Sequence, residues 1–312
     1  MQKEVYTKIP KRVVLSADVG GTNTNIGLCS VKGRKVALHA KYVFESQKLA
    51  KFEDAVKQVL SDSKVKVFSA CIAAAGPVSQ DRKSCQLTNI KWKIETKKLP
   101  FKAKLLNDFE ALGYAINVLG SRDIKVIRKG SSKGIVALIG AGTGLGKAVL
   151  SDGKIIVPLA SEGGHSDLPI MPEEIELLKF LSKKGVAEYE DALSGRGLIA
   201  LFDFYLKSLG GSGTRLPAEV VKEDSPAAEA ARKQFVKFYA RCAKNFALDV
   251  LARGGVIIGG GIAAKNPGLF GKEFVKEFMR NSSQKEVLAK LPLRIITNID
   301  AGLLGAALYA RL

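Results

Sequence analysis

The sequence predicts an α/β protein built from two related halves. A glycine-rich hairpin occurs twice, and each copy is followed by amphipathic helices that alternate with buried strands. The first copy, LSADVGGTNTNIGLC, covers 15–29, and the second, VALIGAGTGLGKAVLSDGK, covers 136–154. Thr22 aligns with Thr143 without gaps. The offset of roughly 120 residues is too long for a solenoid repeat and suits a duplicated domain.

In the first half, short apolar runs predict strands and a periodic segment predicts a helix. The strands are expected over about Val13–Ala17, Asn25–Ser30 and Lys35–Phe44. Apolar residues at helical spacing then predict an amphipathic helix, and they are Phe52, Ala55, Val56, Val59 and Leu60. The run VFSACIAAAGPV is typical of a buried strand that ends at Gly76 and Pro77.

The second half repeats this order, with a hairpin, helices, the buried strand GGVIIGGG and further helices. Its longest helix is expected from about Pro226 to Arg253, because proline favours a helix start and Gly254-Gly255 a helix end. An apolar stripe marks its core face at Phe235, Tyr239, Cys242, Phe246 and Val250. The small residues of AGLLGAAL suit close packing, so we expect the helix after Asn298 to return to the first half.

Composition excludes several classes of protein. With 312 residues and 46% hydrophobic content, the chain is expected to be globular, and its length favours two domains. No apolar run approaches the roughly 20 residues of a membrane span. Four cysteines without CxxC spacing and only two histidines give no zinc-site pattern and suit a reducing compartment. The net charge of +19 is spread along the chain, so neither nucleic acid nor a membrane is expected as a partner.

The two hairpin turns combine glycine with threonine. Glycine lets a bound group approach the backbone, successive N–H groups can bind an anion, and threonine adds a hydroxyl. Two such turns would suit a polyphosphate, although any tight hairpin also favours glycine. Asp18 accompanies only the first turn, since the second has Ile139, so it is a candidate for Mg²⁺, directly or through water. A third run, VIIGGGIA, either forms a simple strand–turn–helix or lets a nucleoside lie against the backbone.

Asn107 and Asp108 lie at a predicted strand-to-helix junction. Asn107 followed by Glu110 matches a capping box, which could account for both polar residues. Alternatively, the end of an apolar strand is where α/β sheets present groups to ligands, and Asp108 would accept the proton of an attacking hydroxyl.

Three further polar side chains fall in loops of the second half. Glu162 and His165 flank two glycines in LASEGGHSDLP, and Glu190 follows in EYEDALSG. A lone loop histidine is usually structural. Together the three side chains would bond several hydroxyl groups at once, as recognition of a sugar requires.

The motifs DVGGTN, GPV with TNIKW, NDFEA, GAGTGLG, EGGH, LSGRGL, GGGIA and NIDAGLLGAAL occur in this order over nearly the full chain. In this set the chain resembles the bacterial-type ATP-dependent glucokinase family. The resemblance implies a duplicated ribonuclease-H-like fold, the actin-like ATPase and sugar kinase fold, with two domains around a central cleft. We expect a smaller domain of residues 1–106 joined by 298–312, and a larger one of residues 107–297.

The resemblance also implies the residues of the site. ATP and Mg²⁺ would contact the glycine loops, with Asp18 on the metal: Asp18, Gly20, Gly21, Thr22, Asn23, Gly140, Gly142, Thr143, Gly144, Gly259, Gly260 and Gly261. Glucose would contact Gly76, Asn89, Asn107, Asp108, Glu162, His165 and Glu190, with Asp108 as the catalytic base.

The implied reaction transfers the γ-phosphoryl group of MgATP to the 6-hydroxyl of glucose, in a cytoplasmic enzyme of a family that often forms homodimers. The alternatives are a related hexose or N-acyl-hexosamine kinase, a polyphosphate-using glucokinase, and an actin- or chaperone-like ATPase. The related ROK kinases and repressors usually carry a cysteine-rich zinc loop after the histidine, which GGHSDLPIMPEE lacks. A repressor would also need a helix-turn-helix ahead of the first strand, where only a short segment stands.

The final ARL is similar to a peroxisomal signal, so a glycosome-like organelle is the alternative location.

Overall fold

The computed structural model describes residues 1–87, 90–130 and 133–312. The strands are β1 (Gln2–Val5), β2 (Arg12–Val19), β3 (Asn23–Lys32), β4 (Lys35–Glu45), β5 (Lys66–Ala74), β6 (Ser84–Gln86), β7 (Lys93–Glu95), β8 (Ala103–Asn107), β9 (Ile124–Arg128), β10 (Val136–Ala141), β11 (Leu145–Leu150), β12 (Pro158–Ser161), β13 (Gly255–Gly259) and β14 (Leu293–Ile296). The helices are α1 (Phe52–Ser63), α2 (Asp108–Ala115), α3 (Ile175–Leu181), α4 (Tyr189–Ala192), α5 (Gly195–Ser208), α6 (Pro217–Lys222), α7 (Pro226–Asp249), α8 (Gly260–Lys265), α9 (Lys272–Phe278), α10 (Lys285–Lys290) and α11 (Ala301–Tyr309).

The chain divides into two compact units. Unit 1 contains Met1–Gly120, Gly153–Ala160 and Asp300–Leu312, and unit 2 contains Ser121–Asp152 and Ser161–Ile299. The main sheet of unit 1 has the order β1-β4-β3-β2-β5-β8. Alternate residues of β2 face opposite sides of this sheet. Val13 and Leu15 pack in one core with Phe52 of α1, whereas Val14 packs in another with Ala306 of α11.

The sheet of unit 2 contains strands in the order β11-β10-β13-β14-β9, and the chain passes from unit 1 to unit 2 within β12. In both units an antiparallel hairpin is followed by two parallel strands: β2–β3 with β5 and β8, and β10–β11 with β13 and β14. The helix α7 buries Phe235 and Tyr239 against this sheet, and the Tyr239 hydroxyl accepts a hydrogen bond from the Ala141 N–H at 3.0 Å. The two hairpins aligned in the sequence therefore occupy equivalent positions.

Unit 1 holds more of the chain than the expected domain of residues 1–106 and 298–312. The helix α2 belongs to it because α2 and α11 touch backbone to backbone: a Cβ on Gly305 would lie 1.8 Å from the Ala111 carbonyl oxygen. Residues 153–160 belong to it because the Asn117 side chain binds the backbone of Ile156, donating to its oxygen at 2.9 Å and accepting from its nitrogen at 2.8 Å.

Two local features differ from the sequence analysis. The helix α7 ends at Asp249, four residues before Arg253, because Leu251 adopts a left-handed φ of 47°. Gly255 is instead the first residue of β13. Glycine is required there because its φ is 95° and a Cβ would lie 2.2 Å from the Pro292 carbonyl oxygen. The strand β1, which pairs with β4, was not expected, because QKEV offers no apolar alternation.

All four cysteines, Cys29, Cys71, Cys85 and Cys242, are buried and reduced. Burial raises the pKa of the Cys85 thiol to about 11 and those of Cys29 and Cys242 to about 12, and it raises the pKa of Cys71 further. In the part of the chain that the structure describes, no helix combines the length and apolar character needed to cross a bilayer.

Candidate functional site

The tip of the β2–β3 hairpin is held in a fixed conformation. The Gly20 N–H donates to the Asn23 carbonyl oxygen at 2.9 Å, which closes the turn. The 3-10 turn Ser46–Lys48 lies beside the tip, and the Ser46 N–H donates to the Thr22 carbonyl oxygen at 2.8 Å. Thr22 and Asn23 are exposed at the tip. The first candidate phosphate loop thus combines ordered backbone with open side chains.

Asp18 lies at the end of β2 in an acidic environment. Burial raises the pKa of its carboxyl group, the negative charges of Asp108 and Asp300 raise it in the same direction, and together they bring it to about 7. Its Oδ2 lies near the start of α11, where a Cβ on Gly302 would be only 3.0 Å away. Acidic side chains that lie close to one another favour a cation nearby. Among residues 1–87, 90–130 and 133–312, however, no three His, Cys, Asp or Glu side chains converge as ligands of one metal ion.

The capping box predicted at residue 107 is confirmed. The Asn107 Oδ1 accepts from the Phe109 N–H at 2.8 Å, and the Glu110 carboxylate accepts from the Asn107 N–H at 3.0 Å. The Arg82 guanidinium forms a bidentate pair with the Glu110 carboxylate, with distances of 2.8 and 3.1 Å. The capping explanation therefore applies to Asn107 and Glu110. Asp108 is the first residue of α2, directly after β8, and its Oδ1 also accepts from the Phe109 N–H, at 3.0 Å.

The resemblance also implies Gly76 and Asn89 for the sugar site. Gly76 follows β5, and a Cβ there would lie 2.3 Å from the Gln86 carbonyl oxygen. Close approach of two backbone segments thus requires glycine at this position, whatever binds nearby. Asn89 lies outside the residues that the structure describes.

In unit 2, the second hairpin tip is tied to one of the candidate sugar residues. The Glu190 Oε2 accepts from the Leu145 N–H at 2.8 Å, and a Cβ on Gly144 would lie 2.5 Å from that same oxygen. Glycine at position 144 therefore leaves room for the Glu190 carboxylate. At Gly142, by contrast, a Cβ would have no atom within 4 Å, so this side of the turn is open to a ligand. The candidate phosphate loop and a candidate sugar residue are in direct contact.

His165 is paired with a residue that the sequence analysis missed. Its Nδ1 lies 2.7 Å from the Glu188 Oε2, and this bond raises the pKa of the imidazole, helped by the charges of Glu190, Glu188 and Glu162 against the opposing effect of burial. The side chain of His165 is 53% exposed, and Glu162 is exposed as well. The structure therefore brings Glu162, His165 and Glu190 together. Glu188 stands two residues before Glu190, which is the only signal the sequence offered.

The third glycine run separates into structural and open positions. Gly140 in β10 pairs with Gly259 in β13, and both are buried in the sheet. Gly260 starts α8 with a φ of 82°, and a Cβ there would lie 2.6 Å from the Ala141 carbonyl oxygen. At Gly261 a Cβ would meet nothing within 4 Å. The backbone therefore requires glycine at position 260, whereas it leaves space for a side chain at position 261.

Comparison with known proteins gives one consistent family. The glucokinase family model matches residues 15–312. The glucokinase of Nostoc sp. is 32% identical over 342 residues, covering 96% of this chain and 98% of the relative, and that of Yersinia pestis is 34% identical over 319 residues, covering 95% and 96%. The crystal structure of Balamuthia mandrillaris glucokinase in complex with glucose has a TM-score of 0.82 at 24% identity, covering 96% of this chain and 94% of that one. The duplicated ribonuclease-H-like fold is confirmed.

Proposed function

The chain belongs to the glucokinase family and is an ATP-dependent glucose kinase, and from this premise we propose the role of each group in its site. Asp108 is the catalytic base, which orients the 6-hydroxyl of glucose and takes its proton as the phosphoryl group is transferred. The observation that supports this role is its position at the end of β8, where Asn107 already supplies the helix cap. In this chemistry the protein contributes mainly positioning and charge neutralisation.

Asn107, Glu162, His165 and Glu190 bind the sugar in this proposal. The Glu190 carboxylate also holds the Leu145 N–H, so it fixes the glycine turn 142–144 and the sugar side of unit 2 in one arrangement. The bond from Glu188 orients the His165 ring and favours its protonated form, which donates from both nitrogens. The Nε2 atom is the ring nitrogen that contacts a sugar hydroxyl in this proposal.

Residues 20–23 and 142–144 bind the phosphate groups of ATP in this proposal, and Gly259–Gly261 lies against its nucleoside. Mg²⁺ fits the acidic surroundings of Asp18, which would hold the ion directly or through water. When bound, Mg²⁺ neutralises charge on the phosphate groups.

The assay that tests the proposed function is release of ADP on addition of a sugar, run over glucose, other hexoses and N-acetylglucosamine. Glucose should give the highest kcat/KM, and inorganic polyphosphate should replace ATP poorly, since it lacks the nucleoside for which Gly261 leaves room. Turnover that is independent of sugar would contradict the proposal. From the resemblance we also propose that the enzyme is a cytoplasmic homodimer, and light scattering would test the oligomeric state.

Replacement of Glu162 by Ala should raise the KM for glucose by roughly 10²-fold or more, because a site built around a hydroxyl loses much of its affinity when its partner is removed. The KM for ATP should stay within about two-fold. Glu176→Ala is the matched control, since Glu176 is an exposed carboxylate of the same unit that pairs only with Lys179 among its described contacts. Equal changes in both KM values would place the EGGH loop on the nucleotide side.

Replacement of Gly261 by Val should raise the KM for ATP by about ten-fold or more, because the added side chain fills space that the protein leaves open at this point. Gly268→Val is the control, since a Cβ there also meets no atom within 4 Å and no nucleotide role is assigned to it. Gly260 cannot serve this purpose, because its φ and the nearby Ala141 oxygen would strain any side chain. An unchanged KM for ATP in a folded Gly261→Val enzyme would contradict the nucleoside assignment.

A further inference from the structure

Three consecutive carbonyl groups of the first glycine turn are bound by one short segment. The Ser46 Oγ donates to the Gly20 oxygen at 2.7 Å, and the Gln47 Nε2 donates to the Gly21 oxygen at 3.2 Å. The Ser46 N–H donates to the Thr22 oxygen at 2.8 Å. All three donors belong to the 3-10 turn Ser46–Lys48, which directly follows β4. The carbonyl groups of Gly20, Gly21 and Thr22 are therefore all anchored by the same short segment.

The Ser46 hydroxyl is the centre of a buried chain of hydrogen bonds. Its Oγ lies 2.9 Å from the Thr24 Oγ1, and neither residue is accessible to solvent. Because Ser46 has one hydroxyl proton and gives it to the Gly20 oxygen, the proton between the two hydroxyls comes from Thr24. The Thr24 hydroxyl thus donates to Ser46, and the Ser46 hydroxyl donates to the Gly20 carbonyl. Each hydroxyl in this chain therefore has a hydrogen-bond partner.

This anchoring decides where the N–H groups of the turn point. Every described peptide bond is trans, so the N–H of each residue points away from the carbonyl of the residue before it. Since the Gly20 and Gly21 carbonyls point toward Ser46 and Gln47, the Gly21 and Thr22 N–H groups point to the opposite side. Successive N–H groups on one side of a turn form an anion-binding concavity.

We propose that Ser46 is a positioning residue for the phosphoryl donor: its hydroxyl and its N–H hold the glycine turn so that the Gly21 and Thr22 N–H groups face the phosphate groups of ATP. This inference rests on the proposed function of residues 20–23. Ser46 itself is fully buried, so it acts on the nucleotide only through the turn. Gln47 supports the same orientation from an exposed position, so its contribution is smaller.

The test compares kinetic constants of Ser46→Ala, Gln47→Ala and Lys48→Ala. Ser46→Ala should raise the KM for ATP by about ten-fold or more and leave the KM for glucose within about two-fold, because a released Gly20 carbonyl lets the peptide rotate. Gln47→Ala should shift the KM for ATP by about two- to three-fold. Lys48→Ala is the control in the same turn, since Lys48 is exposed and pairs with Glu45.

A double variant separates positioning from stability. Ser46→Ala leaves the Thr24 hydroxyl buried without its acceptor, so the single variant should also melt at a lower temperature. Adding Thr24→Val removes that stranded hydroxyl and should restore part of the melting temperature, while the KM for ATP stays high. Ser46→Thr, which keeps the hydroxyl, should restore the KM for ATP if the added methyl is accommodated.

The outcomes distinguish this inference from the function on which it rests. If Ser46→Ala is folded and keeps both KM values, or if the KM for ATP recovers together with stability in the double variant, Ser46 does not position the donor. If Ser46→Ala raises the KM for glucose instead, the turn 20–23 belongs to the sugar side, and the phosphate-loop assignment itself is wrong.

Discussion

Replacement of Asp108 by Asn should lower kcat by roughly 10²–10⁴-fold, the range expected when a positioned acid–base group is lost. Both KM values should change by only a few-fold, since Asn keeps the size and most hydrogen bonds of Asp. The helix α2 should remain formed, because its cap is supplied by Asn107 and Glu110, and the Phe109 N–H retains the Asn107 Oδ1 as acceptor at 2.8 Å. The measurement is steady-state kinetics with a coupled ADP assay, beside a thermal melt.

Asp54→Asn provides the matched control for this experiment. Asp54 also lies in the first turn of a helix in unit 1, but it belongs to α1 and pairs at 4.0 Å with Lys51. The control should keep wild-type kcat. A folded Asp108→Asn enzyme with wild-type turnover would show that Asp108 only supports the start of α2, as a further first-turn carboxylate.

Replacement of Arg241 by Ala should lower the free energy of unfolding by about 3–5 kcal/mol, as is typical when one partner of a buried ion pair is removed. Arg241 is 2% exposed, and its guanidinium binds both oxygens of Glu174 at 2.8 and 3.1 Å. It also approaches Glu277 at 3.4 Å and donates to the Pro169 carbonyl oxygen at 2.8 Å. Without the Arg241 guanidinium, the Glu174 carboxylate stays buried and has lost the cation of its ion pair.

The loss should depend on pH in a defined direction. Burial raises the pKa of Glu174, but the bonds from Arg241, the Met171 N–H and Gln234 outweigh it, so the pKa lies below its ordinary value of 4.5. A lowered pKa contributes stability above the ordinary value that is lost as the pH falls through the folded-state value. In Arg241→Ala the pKa of Glu174 should rise, so the difference in the free energy of unfolding between the wild type and the variant should be largest above pH 4.5 and should shrink as the pH falls below it.

Lys233→Ala in the same helix is the control for Arg241→Ala. Lys233 pairs with Glu229 at 2.6 Å, but both side chains are exposed, and surface pairs contribute little to stability. Urea unfolding of both variants measures the difference. Similar midpoints for the two would contradict the importance assigned to the buried pair.

The sequence allowed the strand order of each hairpin and the glycine turns to be predicted, because alternation, glycine spacing and the internal repeat are local signals. It also allowed the cap at Asn107 to be predicted, since the partner Glu110 is only three residues away. Asp108 was ambiguous in the sequence; the structure assigns the cap to its neighbour Asn107, and the catalytic role of Asp108 is a proposal.

Other features depend on contacts between distant parts of the chain. Arg241 lies one residue before the core residue Cys242 on α7, and only its meeting with Glu174 and Glu277 makes a buried arginine tolerable. The role of Ser46 depends on where β4 ends relative to a turn more than twenty residues earlier. A sequence pattern shows glycine at both 260 and 261, but only the surrounding backbone shows that the first is structural and the second open.

The buried cysteines give each unit an internal reporter of its own opening. A thiol with a raised pKa that has no path to solvent reacts with a disulfide or maleimide reagent only after the surrounding structure opens. Cys242 is the cysteine of unit 2, whereas Cys29, Cys71 and Cys85 belong to unit 1. The rate at which each thiol becomes modified therefore measures the opening free energy of its own unit. Mass spectrometry of the native enzyme, without any added label, can thus compare how strongly ATP and glucose each protect the two halves of the duplicated fold.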